Sequence, residues 1–109
     1  MSESEFLALA EATLDAIEAA LDRLNDQDLL DVECSRSGNV LQIEFIDNGS
    51  KIIVNSQAPM QELWVAAKSG GFHYKRVGPE WINTRDGSEL FAALSGMASA
   101  QAGAPVVLV

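Results

Sequence analysis

The amino-acid order predicts an α+β fold: a two-layer α-β-α sandwich, with an antiparallel sheet of about six strands and an N-terminal and a C-terminal helix on one face. Three observations predict it. Apolar residues recur at helical spacing near the two ends of the chain and alternate at strand spacing through its middle. The breaks between the middle segments are of hairpin length, which makes neighbouring strands antiparallel. Each helix carries a single apolar stripe, so both cover the same sheet face and the other face meets water.

The first helix is expected from Ser4 to about Asn25. Phe6, Ala10, Leu14, Ile17, Leu21 and Leu24 recur three or four apart and form its buried stripe. Ser2 or Ser4 can cap its start, and Glu3 and Glu5 suit the positive end of the helix dipole. Asp31–Arg36 then alternates, with Val32 and Cys34 facing one way and Asp31 and Glu33 the other. Ser37-Gly38-Asn39 reads as a turn, Val40–Phe45 alternates again, and Asp47-Asn48-Gly49 is the strongest hairpin signal. Lys51–Asn55 contains the β-branched run Ile52-Ile53-Val54. Pro59 interrupts, and Met60–Lys68 fits helix or strand by periodicity alone. Gly70-Gly71 turns into an alternating Phe72–Arg76, Gly78-Pro79 turns again, and Trp81-Ile82 starts a short last strand. The second helix is expected to begin near Ser88, with Ser88 as cap and Leu90, Phe91, Leu94 and Met97 as its apolar face. Gly103 and Pro105 end it, and the apolar tail Val106–Val109 is expected to pack across the two helices.

Composition narrows the function. The 109 residues make one domain, with 48% hydrophobic residues and no apolar run near the roughly 18 needed to span a membrane. The opening Met1-Ser2-Glu3-Ser4-Glu5 lacks the basic start of a signal or transit peptide, which points to the cytoplasm. Cys34 is the only cysteine, excluding an intrachain disulfide and a cysteine metal cage; it is expected to be a small buried apolar group. A net charge of −9 argues against nucleic acid and anionic membranes and favours cations and basic protein surfaces.

The charge is concentrated. Glu11, Asp15, Glu18, Asp22, Asp26, Asp28, Asp31 and Glu33 are half of the sixteen acids, with Arg23 the one base before Glu33. The first four follow helical spacing and share a face. The last four crowd the place where the helix stops and a strand starts. There the helix dipole is negative, and each exposed acid costs about 0.3–1 kcal/mol at low salt. Local rules broken without local gain mark candidate function.

Several motifs in order resemble the frataxin family, specifically its bacterial branch, over roughly residues 4–102. They are Ser4-Glu5-Phe6 before the acidic helix, Asn48-Gly49-Ser50-Lys51-Ile52-Ile53-Val54-Asn55 followed by Gln57 and Pro59, Leu63-Trp64-Val65-Ala66, Gly70-Gly71-Phe72-His73-Tyr74, Trp81, and Asp86-Gly87-Ser88-Glu89-Leu90. The resemblance implies the sandwich fold and makes Met60–Lys68 a strand. It also implies weak iron binding by carboxylates at the end of the first helix and the first strand. The partners it implies are the cysteine desulfurase and scaffold protein of iron–sulfur cluster assembly. The matching acids are Glu18, Asp22, Asp26, Asp28, Asp31 and Glu33. Arg23 and Leu29-Leu30 depart from the bacterial pattern and dilute the edge, which bears on iron stoichiometry.

Carboxylate oxygens suit Fe²⁺ or Fe³⁺, and Glu18 and Asp22, four apart, can share one ion or its water shell. With no histidine or cysteine in the set, the expectation is weak, exposed iron binding by a protein that is a monomer without iron. Asp22 and Asp26 are also expected to dock on a basic partner surface. Trp64 would share the open sheet face with Glu62 and Lys68, and with Asn55 and Gln57 it is the expected open-sheet contact. Trp81 is expected to be structural, near a sheet edge, and lone His73 to be a structural or surface group. Lys68, Lys75, Arg76 and Arg85 are expected to form a solvated counter-face. No nucleophile–histidine spacing or phosphate loop is present, so no enzyme is expected. Two rival readings are an iron-independent regulator of the desulfurase and a ferroxidase.

Overall fold

The computed structural model describes residues 1–109. Helix α1 spans Glu3–Asp26 and starts with a reciprocal cap: the Ser2 hydroxyl accepts from Glu5 N at 3.2 Å, and the Glu5 carboxylate accepts from Ser2 N at 3.3 Å. The whole expected stripe, Phe6 through Leu24, is buried, joined by Thr13 and Ala20. The last turn closes with Asp28 N donating to Asn25 O at 3.0 Å and Leu29 N to Leu24 O at 3.0 Å. This pair of bonds terminates a helix when the residue just past its cap turns left-handed. Here that residue is Asp28, at φ 57°.

Six strands follow: β1 (Val32–Ser37), β2 (Val40–Phe45), β3 (Lys51–Gln57), β4 (Glu62–Ala67), β5 (Gly70–Val77) and β6 (Glu80–Asn83). They lie in sequence order, each antiparallel to the next. The ambiguous segment is therefore a strand, shorter than expected: Ala58–Met60 forms a 3₁₀ turn and Gln61 is left-handed, so pairing begins at Glu62. Residues 46–50 join β2 to β3, and Gly49, at φ 72°, takes the conformation that closes the loop.

Helix α2 spans Leu90–Ala102. Its cap is Glu89 rather than Ser88: the Glu89 carboxylate accepts from Phe91 N at 2.8 Å and Ala92 N at 3.1 Å. Ser88 instead donates its hydroxyl to Asp86 at 2.7 Å. Two carboxylate oxygens satisfy two free N–H groups and suit the dipole. The buried face is also rotated from expectation, to Leu90, Leu94, Ala98 and Gln101, with Phe91 and Met97 only partly buried at its margins. Gln101 takes an inner position because it ties α2 to the start of β3 and to the turn after β4. Its amide donates to Ser50 Oγ and Lys51 O and accepts from Lys68 N.

One core of 23 residues joins the inner stripes of both helices to Leu41, Ile43, Phe45, Ile52, Val54, Leu63, Val65, Tyr74 and Trp81 of the sheet. Both helices thus cover one face, as the pattern predicts. Trp81, on edge strand β6, packs edge-on against Phe6 and donates its indole N–H to Thr13 Oγ1 at 2.8 Å. The tail does pack on the body. Val106 and Leu108 are buried, Ser99 Oγ bonds both N and O of Val106, and Arg23 of α1 donates to the Val109 carbonyl. No helix is long and apolar enough to cross a membrane.

Candidate metal edge and docking face

Helix α1 runs beside β1, the edge strand that carries Arg36 on its helix-facing side. The Arg36 guanidinium sits 2.8 Å from Asp15 and 3.7 Å from Glu18. Asp15 is thus half of an ion pair, because strand alternation turns Arg36 toward the helix. One turn further on, Glu18 and Asp22 lie close enough to Cys34 to act on it. The Cys34 thiol is pushed up to about 11, first by burial and then by the charges of Asp22 and Glu18. Cys34 is half-buried against the core rather than fully inside it, as an edge strand allows.

The helix end is locked to β1 by Asn25, whose amide donates to Val32 O at 2.8 Å and accepts from Val32 N at 3.0 Å. This hook holds Asp26, Asp28 and Asp31 at the junction, all exposed. Asp28 and Asp31 line an open cleft of about 510 Å³ together with Asp47 and Asn48 from the β2–β3 loop. Asp47 escaped the sequence reading. Pairing Val32 with Phe45 brings the loop after β2 beside the start of β1, and only that register could have shown it.

The six sequence-predicted acids therefore divide. Glu18 and Asp22 lie on the helix flank by Cys34, Asp26 ends the helix, and Asp28 and Asp31 share the cleft. Glu33 points the other way, onto the open sheet face, where it pairs across from Glu44. No group of three carboxylates converges tightly enough to hold one ion. The donor set suits a cation that prefers oxygen and keeps most of its water, held by one or two carboxylates at a time. Among these acids Glu18 is the half-buried one, and it also meets Arg36.

The second candidate lies on the open face. Register sets Asn55, Trp64 and His73 in one row and Gln57, Glu62 and Lys75 in the next. Trp64 is half-buried rather than fully exposed. Its ring stacks on His73 with centroids 4.3 Å apart and planes 7° apart, and its N–H donates to Glu62 at 2.8 Å. Gln57 donates to Asn55 at 2.6 Å. Of the expected basic counter-face, Lys68, Lys75 and Arg85 are exposed, and Arg76 departs from it. Lys75 faces outward near Glu62, whereas Arg76 faces the helices and lies 5.5 Å over the Trp81 ring.

These features define a small acidic α+β sandwich with exposed carboxylates at one helix–strand junction and an aromatic open sheet. A family model described as a frataxin-like domain matches residues 1–104, and the chain belongs to the frataxin family. It is 78% identical over 108 residues to the iron–sulfur cluster assembly protein CyaY of Janthinobacterium sp. (strain Marseille), covering 99% of this chain and 96% of that one. It is 73% identical to the protein of the same name from Herminiimonas arsenicoxydans, with the same coverage. Frataxin from Psychromonas ingrahamii superposes with a TM-score of 0.90 at 31% identity, covering 100% of this chain and 99% of that one. Trimeric frataxin from the yeast Saccharomyces cerevisiae, complexed with ferrous iron, has a TM-score of 0.73 at 23% identity. It covers 86% of this chain and 85% of the yeast chain, a likeness of fold.

Proposed function

We propose that this protein is a non-enzymatic, cytoplasmic accessory of iron–sulfur cluster assembly. It binds iron weakly along Glu18, Asp22, Asp26, Asp28 and Asp31 and docks on the cysteine desulfurase and scaffold protein, as a monomer when iron is absent. The observation that carries the reading is 78% identity, over 99% of the chain, to a protein named for that assembly role. The exposed junction acids support it, because crowded like charges are relieved by a bound cation or by a basic surface. Iron here is cargo, and the carboxylates would carry it with its water shell. Trp64, Asn55 and Gln57 would supply the open-sheet contact.

One edge serving both ion and partner makes the two bindings interdependent. Calorimetry of the desulfurase–scaffold complex, with and without Fe²⁺, should give different affinities for this chain; equal affinities would contradict the shared edge. The wide spacing of the carboxylates favours one alternative, a regulator that docks through its acids without needing iron. Under that reading a chelator leaves regulation intact, while reversing the charge of Asp22 and Asp26 abolishes it. A ferroxidase would need converging carboxylates with histidine support, and His73 lies on the open face, away from the α1 acids.

A further inference from the structure

Glu62 is buried where the fold gives a carboxylate least reason to be. It belongs to the open sheet face, yet only 5% of it is exposed. A carboxylate taken out of water needs donors around it. Trp64 Nε1–H donates to Oε1 at 2.8 Å, His73 Nδ1 stands 3.4 Å from the same oxygen, and Lys75 Nζ stands 3.9 Å from Oε2. The contacts link two rows of the sheet, since Trp64 pairs with His73 and Glu62 with Lys75. The indole is held at its N–H by Glu62 and covered on one face by the parallel His73 ring. An unrestrained aromatic side chain loses rotamer freedom when it docks, and one already held loses less.

We propose that Glu62 is a positioning residue that presets the Trp64–His73 stack as a rigid docking platform. The proposal rests on the open face being a contact surface for the assembly machinery, as argued above. It also sets the chemistry of the contact. With the indole N–H already donated to Glu62, the partner meets the remaining ring surface with an apolar side chain rather than a hydrogen-bond acceptor.

The test compares Glu62→Gln, which keeps an acceptor oxygen, with Glu62→Leu, which keeps the bulk and removes it. Indole N–H exchange at Trp64 is followed by NMR, and affinity for the desulfurase–scaffold complex by calorimetry. Wild type and Glu62→Gln should protect the Trp64 N–H and bind alike. Glu62→Leu should lose the protection and bind about tenfold more weakly. Its thermal stability should change little, because Trp64 is only half-buried and the freed indole N–H, His73 and Lys75 can all turn to water. A structural role would do the reverse, lowering stability and sparing affinity. The proposal is overturned if Glu62→Leu keeps the protected N–H, if it binds as wild type while Trp64→Ala binds weakly, or if Glu62→Gln fails as Glu62→Leu does. Wild-type exchange as fast as that of a free indole overturns it without any variant. If Trp64→Ala itself binds normally, the open-face docking reading fails too, and the exchange data still report on Glu62 separately.

Discussion

Asp28 occupies a left-handed position that glycine fills with least strain, at the end of a helix whose dipole disfavours a negative charge. Replacing it by glycine removes both penalties, so Asp28→Gly should raise stability by about 1 kcal/mol in urea unfolding. Asp22→Asn and Asp26→Asn should each add about 0.3–1 kcal/mol at low salt while weakening cation binding. A loss of stability in either would make those acids structural. Cys34 gives a reporter at the same place. Its thiol is raised from 9.0 to about 11 by burial and by Asp22 and Glu18. The raised value means that its contribution to stability is present below pH 9 and is lost as pH climbs through 11. Alkylation of the free protein should therefore have its pH midpoint near 11. A cation seated at Asp22 and Glu18 should move that midpoint down, and an unmoved midpoint would place the ion elsewhere.

At the scale of elements, the junction depends on one hook. Asn25 makes two reciprocal bonds to the Val32 backbone, and Asn25→Ala leaves both peptide groups without partners. The loss should be about 1–3 kcal/mol, with faster amide exchange at the start of β1. The elements themselves were largely legible in the sequence, because burial imposes period: α1 shows it in Phe6 through Leu24, and β2 in Leu41, Ile43 and Phe45. Features that depend on register were not. Arg36 meets Asp15 across 21 residues, Asp47 reaches the cleft through the β2–β3 loop, and Glu62 is buried only because His73 and Lys75 pair beside it. The cap of α2 was misplaced by one residue because Ser88 and Glu89 both suit a helix start. The bond from Ser88 to Asp86 decides between them. The acidic set was visible as composition, but its division between helix flank, cleft and open face follows from strand alternation, which sends Glu33 away from Val32 and Cys34.

The molecule as a whole presents two unlike surfaces. The acidic edge lies along α1 and β1, and the Trp64 platform lies across β4 and β5 on the uncovered face, separated from the edge by β2 and β3. A chain of net charge −9 so arranged can meet a basic surface with its edge and an apolar one with its sheet. Coupling between iron and partner is expected where both use the edge. The central claim is that the junction acids form a site rather than a solvated face. An amide NMR titration with Fe²⁺, repeated with a diamagnetic trivalent ion, tests it most directly. The account predicts broadening and shifts confined to residues 18–31 and to Asp47 and Asn48 of the facing loop, strongest around Asp22, Asp26, Asp28 and Asp31, with the open-face amides of β4 and β5 unchanged. Changes scattered over all the surface acids would contradict it.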